Sequence, residues 1–96
     1  MIVNREFWSE QQVIPVLVVD EEASAIPLAR ALAAGGLKRI EITLRTKAAL
    51  GAISKIRSEA PEVFVGAGTV LNRANLKDAL TAGAQFIVSQ IGRAHV

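Results

Sequence analysis

Residues 39–45 read Arg39-Ile40-Glu41-Ile42-Thr43-Leu44-Arg45, and the alternation in this stretch decides the fold. Side chains along a β-strand point to opposite faces by turns, so Ile40, Ile42 and Leu44 share one face and Glu41, Thr43 and Arg45 the other. The first face suits packing under helices. The second carries an acid, a hydroxyl and a base in file. Two settings satisfy that pattern. One is the inner wall of a parallel barrel whose C-terminal mouth holds an active site. The other is an edge strand wetting its polar face, with Glu41 and Arg45 merely paired. A strand covered by helices on both sides would be apolar on both.

Outward from this strand, apolar β-branched runs alternate with helical segments. Val13-Ile14-Pro15-Val16-Leu17-Val18-Val19 has the nearly continuous apolar character of a parallel strand covered on both faces. Pro15 lacks a ladder donor, which gives this strand an open side or a local break. Ahead of it, Asn4 can cap a short helix reaching about Gln11, with Phe7 and Trp8 as packing anchors. Asp20 or Ser24 caps a helix ending near Ala34 and stopped by Gly35 and Gly36; Pro27 fits its first turn if Ser24 is the cap. Lys47 to Ser58 forms the next helix, slightly weakened by Gly51. Val63 opens a third strand, running at least to Gly66. Asn72 or Asn75 then caps a helix to about Ala82, and Phe86 to Ser89 forms a fourth strand.

Strands thus recur at intervals of roughly two dozen residues, and Ala34-Gly35-Gly36 resembles Ala82-Gly83-Ala84, the mark of a repeated βαβα unit. Repeated βα units with short connections give a parallel sheet with right-handed crossovers. A doubly wound open sheet and part of a (β/α)8 barrel both fit; the polar file on the second strand favours the barrel.

Composition narrows the function. The chain has 96 residues, 51% of them hydrophobic and 21% charged, with one His and no Cys, which leaves no disulfide scaffold and too few ligands for a Cys- or His-built metal site. The net charge of +2 is spread among interleaved acids and bases with little aromatic content, so nucleic acid is not an expected partner. The longest apolar run falls well short of the roughly 20 residues that span a bilayer, and the N-terminus has no signal pattern. No membrane partner is expected, and the expected location is cytoplasmic.

After the third strand, Val65-Gly66-Ala67-Gly68-Thr69-Val70-Leu71 places two glycines at alternate positions, where missing side chains admit a ligand or another backbone. With no further glycine opening the helix and no Lys-Ser/Thr after it, this is a weak phosphate motif, and a plain βα turn explains it equally.

Three motifs taken together are more specific. Glu41-Ile42-Thr43-Leu44-Arg45-Thr46, the Val65–Leu71 run, and Ala82-Gly83-Ala84-Gln85-Phe86 with Ser89 resemble, in order and spacing, the KDPG/KHG aldolase family. The resemblance runs from about Val13 to Ser89. It implies an α/β fold: a parallel half barrel, the first four βα units of a (β/α)8 barrel, here preceded by the short N-terminal helix read over residues 1–12. It implies a class I aldolase that cleaves 2-keto-3-deoxy-6-phosphogluconate or 4-hydroxy-2-oxoglutarate to pyruvate and an aldehyde through a lysine Schiff base, with no metal or cofactor. Glu41 is the implied general acid/base. Arg45, Thr69 and Gly68 are the implied binding residues for the pyruvate moiety of the keto-acid substrate. Full-length members of the family are typically trimers, so a homo-oligomer is expected.

Elementary electrostatics fits those roles. A carboxylate inside a barrel loses solvation, which raises its pKa toward neutrality, and Arg45 above it would offset part of that rise. The family's Schiff-base lysine and phosphate site lie on later strands and loops. Lys38, Lys47, Lys55 and Lys77 fall at a strand entrance or on helices and read as solvated residues, so the chain alone is expected to be inactive. A half barrel leaves two strand edges open, so a second copy could close the sheet. Past Ser89, residues 90–96 do not resemble the family's continuation and are read as a non-native tail; His95 then has no role.

Overall fold

The computed structural model describes residues 14–89. The N-terminal helix expected before residue 13, with Phe7 and Trp8, and the tail with His95 lie outside them. The described chain runs β1 (Val16–Leu17), a 3-10 turn (Glu22–Ser24), α1 (Ala25–Ala34), β2 (Arg39–Thr43), α2 (Ala49–Glu59), β3 (Phe64–Val70), α3 (Arg73–Ala82) and β4 (Ile87–Ser89).

All pairings are parallel, and the strands lie in the order β1-β2-β3-β4. A doubly wound sheet reverses its order at a switch point. Here each strand is laid beside the one before it, and α1 packs on α2 and α2 on α3. Right-handed crossovers in one direction put the helices on one face and, among the described residues, leave the other without a helix. This is the strand order of a barrel wall.

The core lies between sheet and helices. Ile40, Ile42, Val65 and Ala67 are fully buried against Ala29, Ala52, Ile53 and Ile56. Alanines at 25, 29 and 33 form an i, i+4 stripe along α1 that allows close approach. The core is small, which keeps the margin of stability thin.

β1 departs from expectation. Its ladder covers only Val16 and Leu17, and only one of its faces is covered: Leu17 and Val19 pack into the core, while Val16 and Val18 are more than half exposed on the bare face. A barrel interior is filled by side chains from several strands, and four strands do not enclose it. Pro15 joins the ladder through its carbonyl alone, which accepts from the Glu41 N–H at 2.9 Å; it has no N–H to give back to β2, and β1 begins after it at Val16.

The helix starts differ in how they are satisfied. Ser24 precedes α1 but makes no side-chain cap; the 3-10 turn leads into the helix, with Ser24 N–H donating to the Glu21 carbonyl. Asn72 caps α3 by accepting from the Asn75 N–H at 2.8 Å, and Asn75 accepts in turn from the Leu71 N–H, so both asparagines take part. α2 has Ala48 at its cap, and the carboxylate of Glu22 lies over Gly51 in its first turn, where a Cβ would fall 2.2 Å from the carboxyl carbon. The glycine that weakens α2 in isolation thereby admits an anion to its positive end.

The two similar turns are the same Schellman motif in a different register. Gly36, at φ +96°, matches Gly83, at φ +107°, whereas Gly35 keeps a negative φ. Leu37 N–H reaches the Leu32 carbonyl and Ala84 N–H the Ala79 carbonyl, the long bond of that motif in each case. Gly36→Ala meets nothing within 4 Å, so its cost is the left-handed backbone alone, about 1–2 kcal/mol. Gly83→Ala adds a contact at 2.9 Å with the Arg57 stem and is expected to lose more stability in denaturant unfolding. Equal losses would show that Arg57 yields freely.

Candidate active site on the helix-free face

Register places the site. Glu41 lies opposite Gly66 and Thr43 opposite Gly68, so the polar file of β2 and the two glycines of β3 share the bare face. The glycines leave room, but for side chains of this chain. A Cβ on Gly68 would fall 1.8 Å from Glu41 Oε2, so the carboxylate lies directly over Gly68. A Cβ on Gly66 would fall 2.4 Å from the ring of Phe86. The ring therefore lies across β3, stacked on Phe64 with centroids 5.7 Å apart and planes 7° from parallel. The Arg39 guanidinium in turn sits 5.6 Å from the Phe64 centroid.

Glu41 is half-buried, and desolvation pushes its carboxyl above the usual carboxylate range. The expected offset from Arg45 is not found. β2 ends at Thr43; Leu44 and Arg45 belong to the following turn, and Arg45 is exposed. The chain leaves the sheet before the pleat can carry Arg45 back over Glu41, although Leu44 N–H still donates to the Gly68 carbonyl at 2.9 Å. Thr43 is buried and donates to the Leu17 carbonyl at 3.4 Å, while Thr46 donates to the Val19 carbonyl. These hydroxyls bind β1 to the end of β2.

Thr69 has a conformation that sequence gives little sign of. Its φ is +58°, a left-handed backbone in a β-branched residue, which is costly unless the surroundings impose it. The cause is a bulge. Ala67 pairs with Ile87 but Val70 with Ser89, so β3 carries an extra residue there. Plain alternation would send Thr69 toward the helices with Val65 and Ala67. The bulge instead returns Val70 to the core and releases Thr69 from it.

The four lysines lie apart from this face in sequence and structure: Lys38 precedes β2, Lys47 precedes α2, Lys55 is on α2 and Lys77 on α3. Arg73 is an exposed residue of α3. Among the described residues no cluster of three or more His, Cys, Asp or Glu side chains is placed to hold a metal ion, and no helix is long and apolar enough to cross a membrane.

The raised carboxyl sets a pH dependence of stability. The folded chain holds the Glu41 proton at pH values where the unfolded chain has released it. Stability contributed by that proton is present at low pH and is lost as pH rises from the ordinary glutamate value through the raised one. Glu41→Gln is expected to flatten this part of the profile and to raise stability near neutrality; denaturant midpoints across pH 4–8 (a range of about four units) measure it.

Chemistry gathered at the C-terminal ends of parallel strands, on the face away from the helices, is the arrangement of (β/α) barrel enzymes. Within that class the chain belongs to the KDPG and KHG aldolase family, whose model matches residues 5–92. It is 52% identical over 77 residues to the KHG/KDPG aldolase of Escherichia coli K12, covering 80% of this chain and 36% of that one. It is 45% identical over 86 residues to the 2-dehydro-3-deoxy-phosphogluconate aldolase of Pseudoalteromonas atlantica, covering 90% of this chain and 40% of that one. Among solved structures, the 2-keto-3-deoxy-6-phosphogluconate aldolase of Zymomonas mobilis ATCC 29191 matches with a TM-score of 0.74 and 54% identity, over 79% of this chain and 36% of that one. The KDPG aldolase of Legionella pneumophila, with pyruvate captured as a covalent carbinolamine, matches with a TM-score of 0.81 and 41% identity, over 85% and 40%. The chain therefore spans about two fifths of the length of these relatives.

Proposed function

We propose that this chain is the amino-terminal part of a class I aldolase that cleaves 2-keto-3-deoxy-6-phosphogluconate or 4-hydroxy-2-oxoglutarate to pyruvate and glyceraldehyde 3-phosphate or glyoxylate. The observation that carries this reading is Glu41. Its carboxyl is desolvated, lies over Gly68 and is directed along the helix-free face. A carboxyl raised in this way keeps its proton to higher pH than an ordinary glutamate, which suits the giving and taking of protons that an aldol cleavage requires.

In this reading a lysine amine from the remainder of the barrel adds to the C2 carbonyl. Glu41 donates a proton to the carbinolamine hydroxyl, and water leaves to give the iminium. Glu41, now ionised, takes the proton of the C4 hydroxyl. The C3–C4 bond breaks, its electron pair flows into the iminium, and the aldehyde departs. Proton return to C3 and hydrolysis release pyruvate. Arg45, in the turn above β2, and the Gly68–Thr69 bulge above β3 hold the pyruvate carboxylate. Arg45 offers a two-pronged donor, and the bulge offers a hydroxyl with the backbone N–H groups around it.

The test is borohydride trapping with pyruvate. This chain alone is expected to remain unlabelled. A fusion of residues 1–89 to the remaining length of the Escherichia coli KHG/KDPG aldolase is expected to gain one reduced pyruvate adduct and to cleave the phosphorylated substrate. Labelling of the chain alone, or a folded fusion without an adduct, would overturn the assignment.

A further inference from the structure

We propose that Phe86 is a positioning residue for Glu41: its ring, laid over Gly66, forms the floor of the site and directs the carboxylate over Gly68 toward the C-terminal ends of the strands. The proposal deepens the aldolase reading and rests on it.

The geometry is built from three contacts. Gly66 is the register partner of Glu41, so a ring seated on Gly66 lies immediately beside the start of the Glu41 side chain. The Cβ position on Gly68, two residues farther along the same face, lies against Glu41 Oε2, Cδ and Cγ. The carboxylate therefore runs toward the C-terminal end of β3, and the ring covers Gly66 at the level where the Glu41 side chain starts.

Phe86 itself is held firmly. It is 5% exposed, yet it is not part of the cluster between sheet and helices. On the bare face Phe64 stacks on it, and Arg39 lies over Phe64. From below, Gln85 fastens the start of β4, accepting from the Val65 N–H through its side chain and donating its own N–H to the Val65 carbonyl. An aromatic floor of this kind excludes water from one side of the carboxylate, and burial is the cause of its raised pKa. Among the described residues the charged groups around Glu41 are few. Arg39 is two residues below it on β2 and is engaged with Phe64, and Arg45 is beyond the strand end. β1, β3 and β4 contribute no charged side chain to this face.

The experiment is a carbon-13 and amide NMR pH titration of this chain and of its Phe86→Leu and Phe64→Leu variants, with Glu41→Gln assigning the carboxyl resonance. In the unsubstituted chain Glu41 is expected to titrate above the ordinary range, and the Gly68 amide to follow it, because an amide beside a carboxylate shifts with its ionisation. Phe86→Leu is expected to lower the midpoint toward the ordinary value and to abolish the Gly68 response. Phe64→Leu thins the stack without uncovering Gly66 and is expected to change neither. A Glu41 that titrates normally in the unsubstituted chain would overturn the aldolase reading of this carboxyl. A raised midpoint that Phe86→Leu leaves in place, or that Phe64→Leu lowers equally, would overturn the positioning role alone. If Phe86→Leu loses its dispersed amide spectrum, Phe86→Met carries the same expectation with a smaller shift. Loss of fold in both would overturn the proposal by making Phe86 a requirement of the sheet rather than of the carboxylate.

Discussion

In the fusion that restores a full-length barrel, Glu41→Gln is expected to lower kcat by about 10²–10⁴-fold, the usual contribution of a positioned acid/base. KM for the keto acid should change little. The amide keeps the shape of the carboxyl and its place over Gly68, and in the proposed mechanism the pyruvate carboxylate is held by other groups, Arg45 and the Thr69 bulge. What is lost is the proton. Adduct formation with pyruvate should slow in step with turnover, because in the proposed mechanism the same carboxyl serves carbinolamine dehydration and deprotonation of the C4 hydroxyl. The acidic limb of the pH–kcat profile, which reports the raised Glu41 pKa, should disappear. Coupled assay of pyruvate release measures the first effect and single-turnover trapping the second. Turnover within a factor of about three of the parent would take Glu41 out of the mechanism.

The two glycines of β3 are expected to respond to alanine in opposite ways, although they differ only by position. At Gly66 the new Cβ would lie 2.4–2.5 Å from three atoms of the Phe86 ring. That ring is buried and stacked on Phe64, so it has nowhere to retreat, and overpacking of this kind costs about 1–3 kcal/mol. In a domain with a thin margin of stability, a loss at the upper end abolishes the cooperative transition. At Gly68 the clash is with the far end of the Glu41 side chain, which can rotate away. Gly68→Ala is therefore expected to keep most of the stability and to lose activity in the restored barrel, with the Glu41 pKa falling as the carboxyl moves into water. Denaturant unfolding and the coupled assay separate the two cases. A stable Gly66→Ala chain would mean that Phe86 is not held over β3.

These outcomes bear on the relation between sequence and site. The alternation Ile40-Glu41-Ile42-Thr43 was enough to place Glu41 on a face of its own, because period-2 patterning is a local property of a strand. The sheet order, by contrast, is what distinguishes a barrel wall from a doubly wound sheet, and patterning carries no record of which strands are neighbours. Arg45 shows the limit of the same rule. Parity continues it along the Glu41 face only while the strand lasts, and β2 stops at Thr43.

Legible in the chain alone were the βα repeat, the apolar and polar faces of β2, a glycine stop at Gly35-Gly36 with a similar turn at Ala82-Gly83-Ala84, and an asparagine cap at Asn72 or Asn75. Each of these follows from interactions within a few residues of chain. Only the tertiary structure decided that β1 is covered on one side, that Gly66 and Gly68 make room for Phe86 and Glu41, and that a bulge in β3 turns Thr69 out of the core. Those features arise where two strands distant in sequence meet in register. Volume, register and desolvation at such a meeting depend on both partners at once, and neither segment encodes them alone.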